Sequence, residues 1–293
     1  MSAQVHDLGY REYDGERAGV RHAMTSLGVH AGQRVLGLKR SARHKILPAI
    51  VLVIAFIPAI VFVGMAAFLP ESTIIEEEIL PTYADYYGFI QFTAIFLFAS
   101  FVAPEAICTD RRTGMMALYL ASPLNRTTYI VSKVAAVMVV LLTITLLPLV
   151  FLLVAYSLAG SGPDGIGEFV EVLLRISAAG LLVGGYFAAL TSAVSSTTPR
   201  RGIASAAIVM TLFVPLFVTA AILESTDIAD EFGLLSLFEL PFRSAQWLLD
   251  GEVTTDRGLQ QVSGPVALLV TVGAAAAMAT FTWWRYQRLE VDR

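Results

Sequence analysis

Few residues in this chain are placed to do chemistry. Glu76, Glu77 and Glu78 form an acidic run of the kind that can hold a metal or supply a general acid, but no histidine accompanies them. The four histidines, His6, His22, His30 and His44, all precede the first long apolar stretch, so none is available within a membrane for metal or proton chemistry. Cys108 is the single cysteine, which excludes an internal disulfide and a cysteine-based zinc site. No G-x-x-x-x-G-K-[ST] phosphate loop occurs, and the glycine-rich run Gly160 to Gly167 lacks its lysine. The glutamates read as a solvated acidic loop and the histidines as solvated or interfacial. No catalytic, cofactor-binding or metal site is expected in this chain.

What must position any functional residue is a set of apolar helices. Of 293 residues 56% are hydrophobic and only 15% charged, too little polar surface for a water-soluble globule of this length. A spanning helix needs about 20 apolar residues to cross roughly 30 Å of hydrocarbon. Six stretches qualify: Ile46 to Leu69, Gly88 to Pro104, Val134 to Ala159, Val172 to Val194, Ile203 to Leu223 and Ser263 to Trp284. The second is the shortest. The fold expected is all-α and integral to the membrane: an arm over 1–45, a six-helix domain over 46–284 and a tail over 285–293. No internal repeat, second soluble domain or cleaved signal peptide is visible, so the first span acts as its own insertion signal.

Orientation follows from the basic residues, which cytoplasmic loops retain. Residues 1–45, 105–133, 195–202 and 285–293 together hold seventeen of the twenty Lys and Arg. Residues 70–87 and 160–171 hold none, and 224–262 hold only Arg243 and Arg257 among eight acidic residues. One alternating pattern accommodates every loop. It places both termini in the cytoplasm of a multi-pass plasma-membrane protein. The scarcity of lysine beside arginine points to a prokaryotic, GC-rich genome.

Within the arm, Val20, Met24, Leu27, Ala31, Val35 and Leu38 recur at steps of three and four, with Arg17, Arg21, Arg34, Lys39 and Arg40 flanking or opposing them. This pattern describes an amphipathic helix lying on the inner membrane surface, its basic face toward anionic headgroups. Gly28, Gly32 and Gly37 weaken it, and a disordered basic arm is the alternative. Pro58, Pro148 and Pro215 fall inside the first, third and fifth spans, where each removes a helix hydrogen bond. Gly180 with Gly184, and Gly273 before four alanines, permit close helix contact, with or without a second subunit. The outer loop 224–262 carries an apolar stretch, Gly233 to Leu249, too interrupted to span. It reads as a re-entrant or interfacial hairpin between the fifth and sixth spans, with Trp247 at headgroup depth. The centres of all six spans lack ionisable residues, which argues against proton or sodium coupling through a midplane carboxylate.

The inner loop Glu105 to Lys133 is the most informative segment. Asp110, Arg111 and Arg112 lead through Gly114 into Met115, Met116, Leu118, Tyr119 and Leu120, an unusually apolar patch for a loop in water. Ser122 and Pro123 suit a helix start, so a second helix is expected to run from there through Lys133 into the third span. The patch either docks a partner or packs as an amphipathic helix against the bilayer, and the residues alone leave both open.

Asp110, Arg111, Arg112, Gly114, Leu118, Leu120, Ser122, Pro123, Arg126 and Lys133, within a plan of surface helix, six spans and outer hairpin, resemble the first cytoplasmic loop of type-2 ABC transporter permeases. The chain departs from that family in having Met115, Met116 and Ala117 where Thr-Leu-Glu is frequent, so any contact assigned to that glutamate is not carried over. The resemblance implies an exporter permease whose coupling residues are Asp110, Arg111, Arg112, Gly114, Met116, Leu118, Tyr119, Leu120, Ser122 and Pro123. It implies two copies of a cytoplasmic ABC ATPase, which would hold the ATP and Mg, and a second permease, identical or related. Lipid is an expected partner and nucleic acid is not. The substrate is not readable. A membrane scaffold or sensor recruiting another protein through the same loop is the competing reading.

Overall fold

The chain is described by a computed structural model that covers residue 15 and residues 18–38, 40–68, 80–225, 230–250 and 262–289. Arg17, Lys39 and Glu76 to Glu78 lie outside these residues. Six helices are long and apolar enough to cross a membrane: His44–Phe68, Phe92–Arg112, Arg126–Ala159, Gly165–Ser195, Arg201–Ile222 and Gly264–Arg288. They are numbered as spans one to six. Most overrun the apolar stretches that mark them in the sequence, because a helix satisfies its own backbone beyond the hydrocarbon as well as inside it. The largest correction falls on the second span, which continues eight residues past Pro104 to Arg112 and so takes Glu105 and Asp110 out of the loop and into a helix.

Burial orders the bundle. The most apolar window of the second span is 67% buried inside the molecule, against 22%, 28% and 17% for the first, fifth and sixth. The second span is therefore a central helix, while the others present apolar side chains outward, as a chain solvated by lipid requires. The second span reaches Phe92 through a helical turn, Tyr83–Asp85, capped by Thr82 and Asp85, and a π-helical segment, Tyr86–Gln91, and a second π segment interrupts it at Phe98–Val102.

Those irregular turns aim polar side chains at places where proline has freed backbone. The third span breaks at Leu146, and Pro148, lacking an N–H, leaves the Ile144 carbonyl without its helical donor. Gln91 Nε2 donates to Ile144 O and Thr145 O, both at 3.2 Å, and the Tyr87 hydroxyl donates to Thr145 O at 3.2 Å. The Tyr86 hydroxyl donates at 2.6 Å to the carbonyl of Ala55, the residue after Ile54, whose own carbonyl Pro58 leaves without its helical donor. Buried carbonyls in a lipid-solvated protein need such partners, since no water reaches them.

Glycine contacts are specific. Gly180 lies against Leu146 and Tyr87, and Gly184 sits beside Leu142, so this small-residue pair packs the fourth span onto the third within one chain. Gly273 touches nothing and stays exposed on the outer face of the sixth span. Between the fifth and sixth spans, a 3₁₀ turn at Asp230–Leu235 and a helix at Leu240–Asp250 pack against the bundle. Phe238 inserts its ring among Phe92, Phe187 and Phe213, with centroids 3.9, 6.0 and 5.9 Å away. The Trp247 side chain fills the space where any Cβ at Gly264 would stand. This segment packs into the core of the bundle: Leu240, Phe242, Ser244 and Ala245 are buried. Buried Arg243 donates to Val262 O through Nε at 3.3 Å and Nη2 at 2.8 Å.

Candidate functional site

One end of the bundle gathers the leading helix, Val20–Val35, the segment from Glu105 to Arg126, the turn between the fourth and fifth spans, and the end of the sixth. It is the basic end. The leading helix packs Leu27, Ala31 and Val35 against the third span, and Gly28 lets its backbone approach Ser132 O. Val20 and Leu38 remain exposed and Met24 is half-buried. Gly37 does not weaken this helix, as its place in the sequence suggests, but ends it. At φ +69° Gly37 donates to Arg34 O, and Leu38 N donates to Gln33 O at 2.8 Å, which closes a Schellman motif. The backbone of His44 also leaves no room there for a Cβ.

Arg34 sits near that stop, and it does not face headgroups. It is paired with Asp110, whose side chain is fully buried. Lys133 Nζ lies 2.6 Å from the other oxygen of Asp110, and the Tyr129 hydroxyl donates to that same oxygen at 3.0 Å. One carboxylate thus joins the leading helix, the second span and the third. Burial works against the Arg34 charge, but Asp110 outweighs it and holds the guanidinium above its ordinary pKa. Lys133 also lies 5.5 Å from the Tyr119 ring centroid, which draws the loop helix toward the cluster. The Tyr119 hydroxyl is pushed up by burial and by the charge of Asp110. Five residues before Asp110, Glu105 pairs with Arg40 and, at 2.7 Å, with Arg201 at the start of the fifth span.

From this base the chain turns. Gly114 adopts φ +69°, a left-handed conformation that suits glycine, and releases a short helix, Met115–Leu120. Met116 is buried, Tyr119 and Leu120 are half-buried, and Leu118 is 63% exposed. The outward apolar surface of the loop helix therefore centres on Leu118. The helix start expected at Ser122 and Pro123 is not used. The Ser122 hydroxyl instead donates to Tyr119 O at 2.6 Å, closing the loop helix, and Leu124 is buried. The third span begins at Arg126, with Asn125 as its cap: Asn125 Oδ1 accepts from Thr128 N at 2.8 Å, and Thr128 Oγ1 accepts from Asn125 N at 2.9 Å. Asn125 caps the span because it has a reciprocal partner three residues on, Thr128.

Carbonyls at the end of the fourth span close the site. Arg111 and Arg285 both donate to Ser196 O, the latter at 2.7 Å, and Arg285 also reaches Thr197 O at 3.2 Å. Arg126 donates to Gln287 O. Arg112, by contrast, is exposed. Cys108 is buried against Ser195 O and Thr198 O.

The structure thus brings together Arg34, Asp110, Arg111 and Tyr119 of the residues expected from sequence, and leaves Arg112, Leu118 and Ser122 facing outward. Sequence reasoning passed over Glu105, Tyr129, Arg201 and Arg285 as site residues, and it named Lys133 only as part of the family pattern. Lys133 carried a readable signal, a lone cation next to the apolar run that starts at Val134. Chemically the arrangement is a buried ionic junction. Among the described residues no three His, Cys, Asp or Glu converge as metal ligands.

The sequence profile described as ABC-2 family transporter protein matches residues 64–238, more than half of the chain. The match contains the whole of the second to fifth spans and the loop helix, and it leaves out the leading helix and the sixth span. No curated protein sequence matches at a significant level. A six-helix apolar bundle whose central helices match this profile is a multi-pass membrane protein, and the chain belongs to the ABC-2 family of transporter proteins.

Proposed function

We propose that this chain is the permease subunit of an ATP-driven exporter and that its loop helix, Met115–Leu120, docks on a separate cytoplasmic ABC ATPase. The observation that carries the reading is Leu118. It is an apolar side chain, 63% exposed, on a helix whose base is held by a buried ionic junction. The sequence segments that hold seventeen of the twenty basic residues are the inner ones of the alternating pattern, and their described residues gather at this end, which supports a cytoplasmic orientation for it and for both termini. The Leu240–Asp250 helix then enters the bundle from the outer side.

The residues Asp110 to Pro123 transmit force without chemistry of their own. ATP and Mg act in the partner, where closure of an ATPase pair moves two loop helices, one from each of two permeases. Through Asp110 that displacement reaches the leading helix and the third span together, and through Glu105 it reaches the fifth. The two bundles then alternate between inward-open and outward-open forms. Coupling needs only that the ATPase bind one form more tightly than the other.

The test is purification of the tagged chain from its native membrane in mild detergent, with co-purifying proteins identified by mass spectrometry. A P-loop ATPase is expected in near-equal amount, and it should be lost when Leu118 and Leu120 are both changed to Asp. Recovery of a different partner, or of none with the chain folded, would instead favour a scaffold or sensor.

A further inference from the structure

Beside the ionic junction, Arg111, Arg112, Arg200 and Arg201 line a cavity of about 640 Å³ together with Pro199 and Gly202. The local charges do not balance. Asp110 is already met by Arg34 and Lys133, and Glu105 by Arg40 and Arg201. Among the described residues the Arg111 side chain donates to the Ser196 carbonyl and pairs with no carboxylate. Among the described residues the side chains of Arg112 and Arg200 meet no carboxylate, so the cavity keeps a surplus of positive charge. The fifth span also begins here, and the free N–H groups of its first turn add positive potential. Such a cavity takes an anion with several oxygen acceptors, and guanidinium forks match phosphate, as they do carboxylate, with paired hydrogen bonds.

The surroundings say what carries the phosphate. Directly below Gly202 the outer face of the fifth span is apolar: Ile203, Met210 and Phe217 are 51%, 63% and 66% exposed. Phe101, whose carbonyl accepts from Arg201 Nη2 at 2.6 Å, is 37% exposed beside it. A soluble phosphate compound would have no use for that stripe, whereas acyl chains would cover it. We propose that this pocket binds the phosphate headgroup of an anionic phospholipid whose chains run along the fifth span. The inference requires no ATPase, and lipid binding is read on the isolated chain.

The full-length chain in neutral detergent is titrated with phosphatidylglycerol or phosphatidylcholine, and bound lipid is counted by native mass spectrometry. Phosphatidylglycerol should bind in preference, and R112Q/R200Q should weaken it about thirtyfold, at roughly fivefold per arginine near a lipid surface. R288Q, a basic change at the same end but outside the pocket, should leave it unaltered. Gly202→Glu offers a second reading should the double variant fold poorly. A Cβ at Gly202 meets nothing within 4 Å, so the carboxylate has room to enter the pocket and should expel the lipid. Unchanged affinity in both variants would overturn the proposal. So would displacement of the lipid by millimolar inorganic phosphate or ATP, which would mark a site for soluble phosphates. Loss of a co-purifying ATPase from R112Q/R200Q with lipid binding intact would overturn it as well, in favour of an acidic protein surface.

Discussion

Lys133 Nζ stands 2.6 Å from Asp110 Oδ2, and both side chains are at most 1% exposed. A charge so buried is tolerable only when paired, and Asp110 has two cations and the Tyr129 hydroxyl as partners. Changing Asp110 to Asn would strand two cations at once, at a cost of about 3–5 kcal/mol. Lys133→Met should cost less, because Arg34 still neutralises the carboxylate. The double variant should be less destabilised than the sum of the two singles. Thermal denaturation in detergent checks all three, and additive effects would mean that the pair is not coupled.

Six helices were legible because apolar runs of about 20 residues have one common use in proteins. The junction was not, for a physical reason. Glu105 and Asp110 follow Pro104, and in sequence a proline next to charged residues reads as the edge of a loop. In the fold Pro104 precedes the first turn of helix Glu105–Arg112, where its missing N–H costs nothing, and the helix runs on. The helical period sets Arg34 among the residues flanking or opposing an amphipathic stripe, but one carboxylate 76 residues away decides its direction. Pairings of that range leave no periodicity to find. The apolar loop helix was recognisable because its composition conflicts with its setting, and such conflicts survive in a linear reading.

Gln91 supports a proline break that lies more than fifty residues away in the chain. Replacing Gln91 with Leu removes a donor shared by Ile144 O and Thr145 O, and should cost about 1–3 kcal/mol. In a Pro148→Ala background, where the helix can recover its own N–H donor, the same change should cost measurably less. A double-mutant cycle on unfolding in detergent reads the difference, and equal penalties in both backgrounds would refute the compensation.

Gly180 and Gly273 test whether small residues act within the chain. Leu146 occupies the place of a Gly180 Cβ, so Gly180→Ala should destabilise by about 1–3 kcal/mol, and Leu146→Ala should restore part of the loss. Gly273→Ala meets nothing and, in a helix, should be neutral or stabilising by up to about 1 kcal/mol. A destabilised Gly273→Ala protein that is dimeric in the wild type and monomeric in the variant would instead place a subunit contact on the sixth span.

Met116 and Leu118 lie two residues apart on the loop helix but in opposite environments, 7% and 63% exposed. If the helix is a docking element, acidic substitutions at the two positions should fail in different ways. Met116→Asp buries an unpaired carboxylate in the apolar core, so it should lower thermal stability and yield. Leu118→Asp puts the same charge where water or a partner would meet it. It should leave stability, topology and lipid binding intact and abolish ATP-dependent transport together with ATPase co-purification. Measuring stability and transport on both variants separates the roles. If Leu118→Asp transported normally, the exposed leucine would not be the contact, and force from an ATPase would have to enter elsewhere at the basic end.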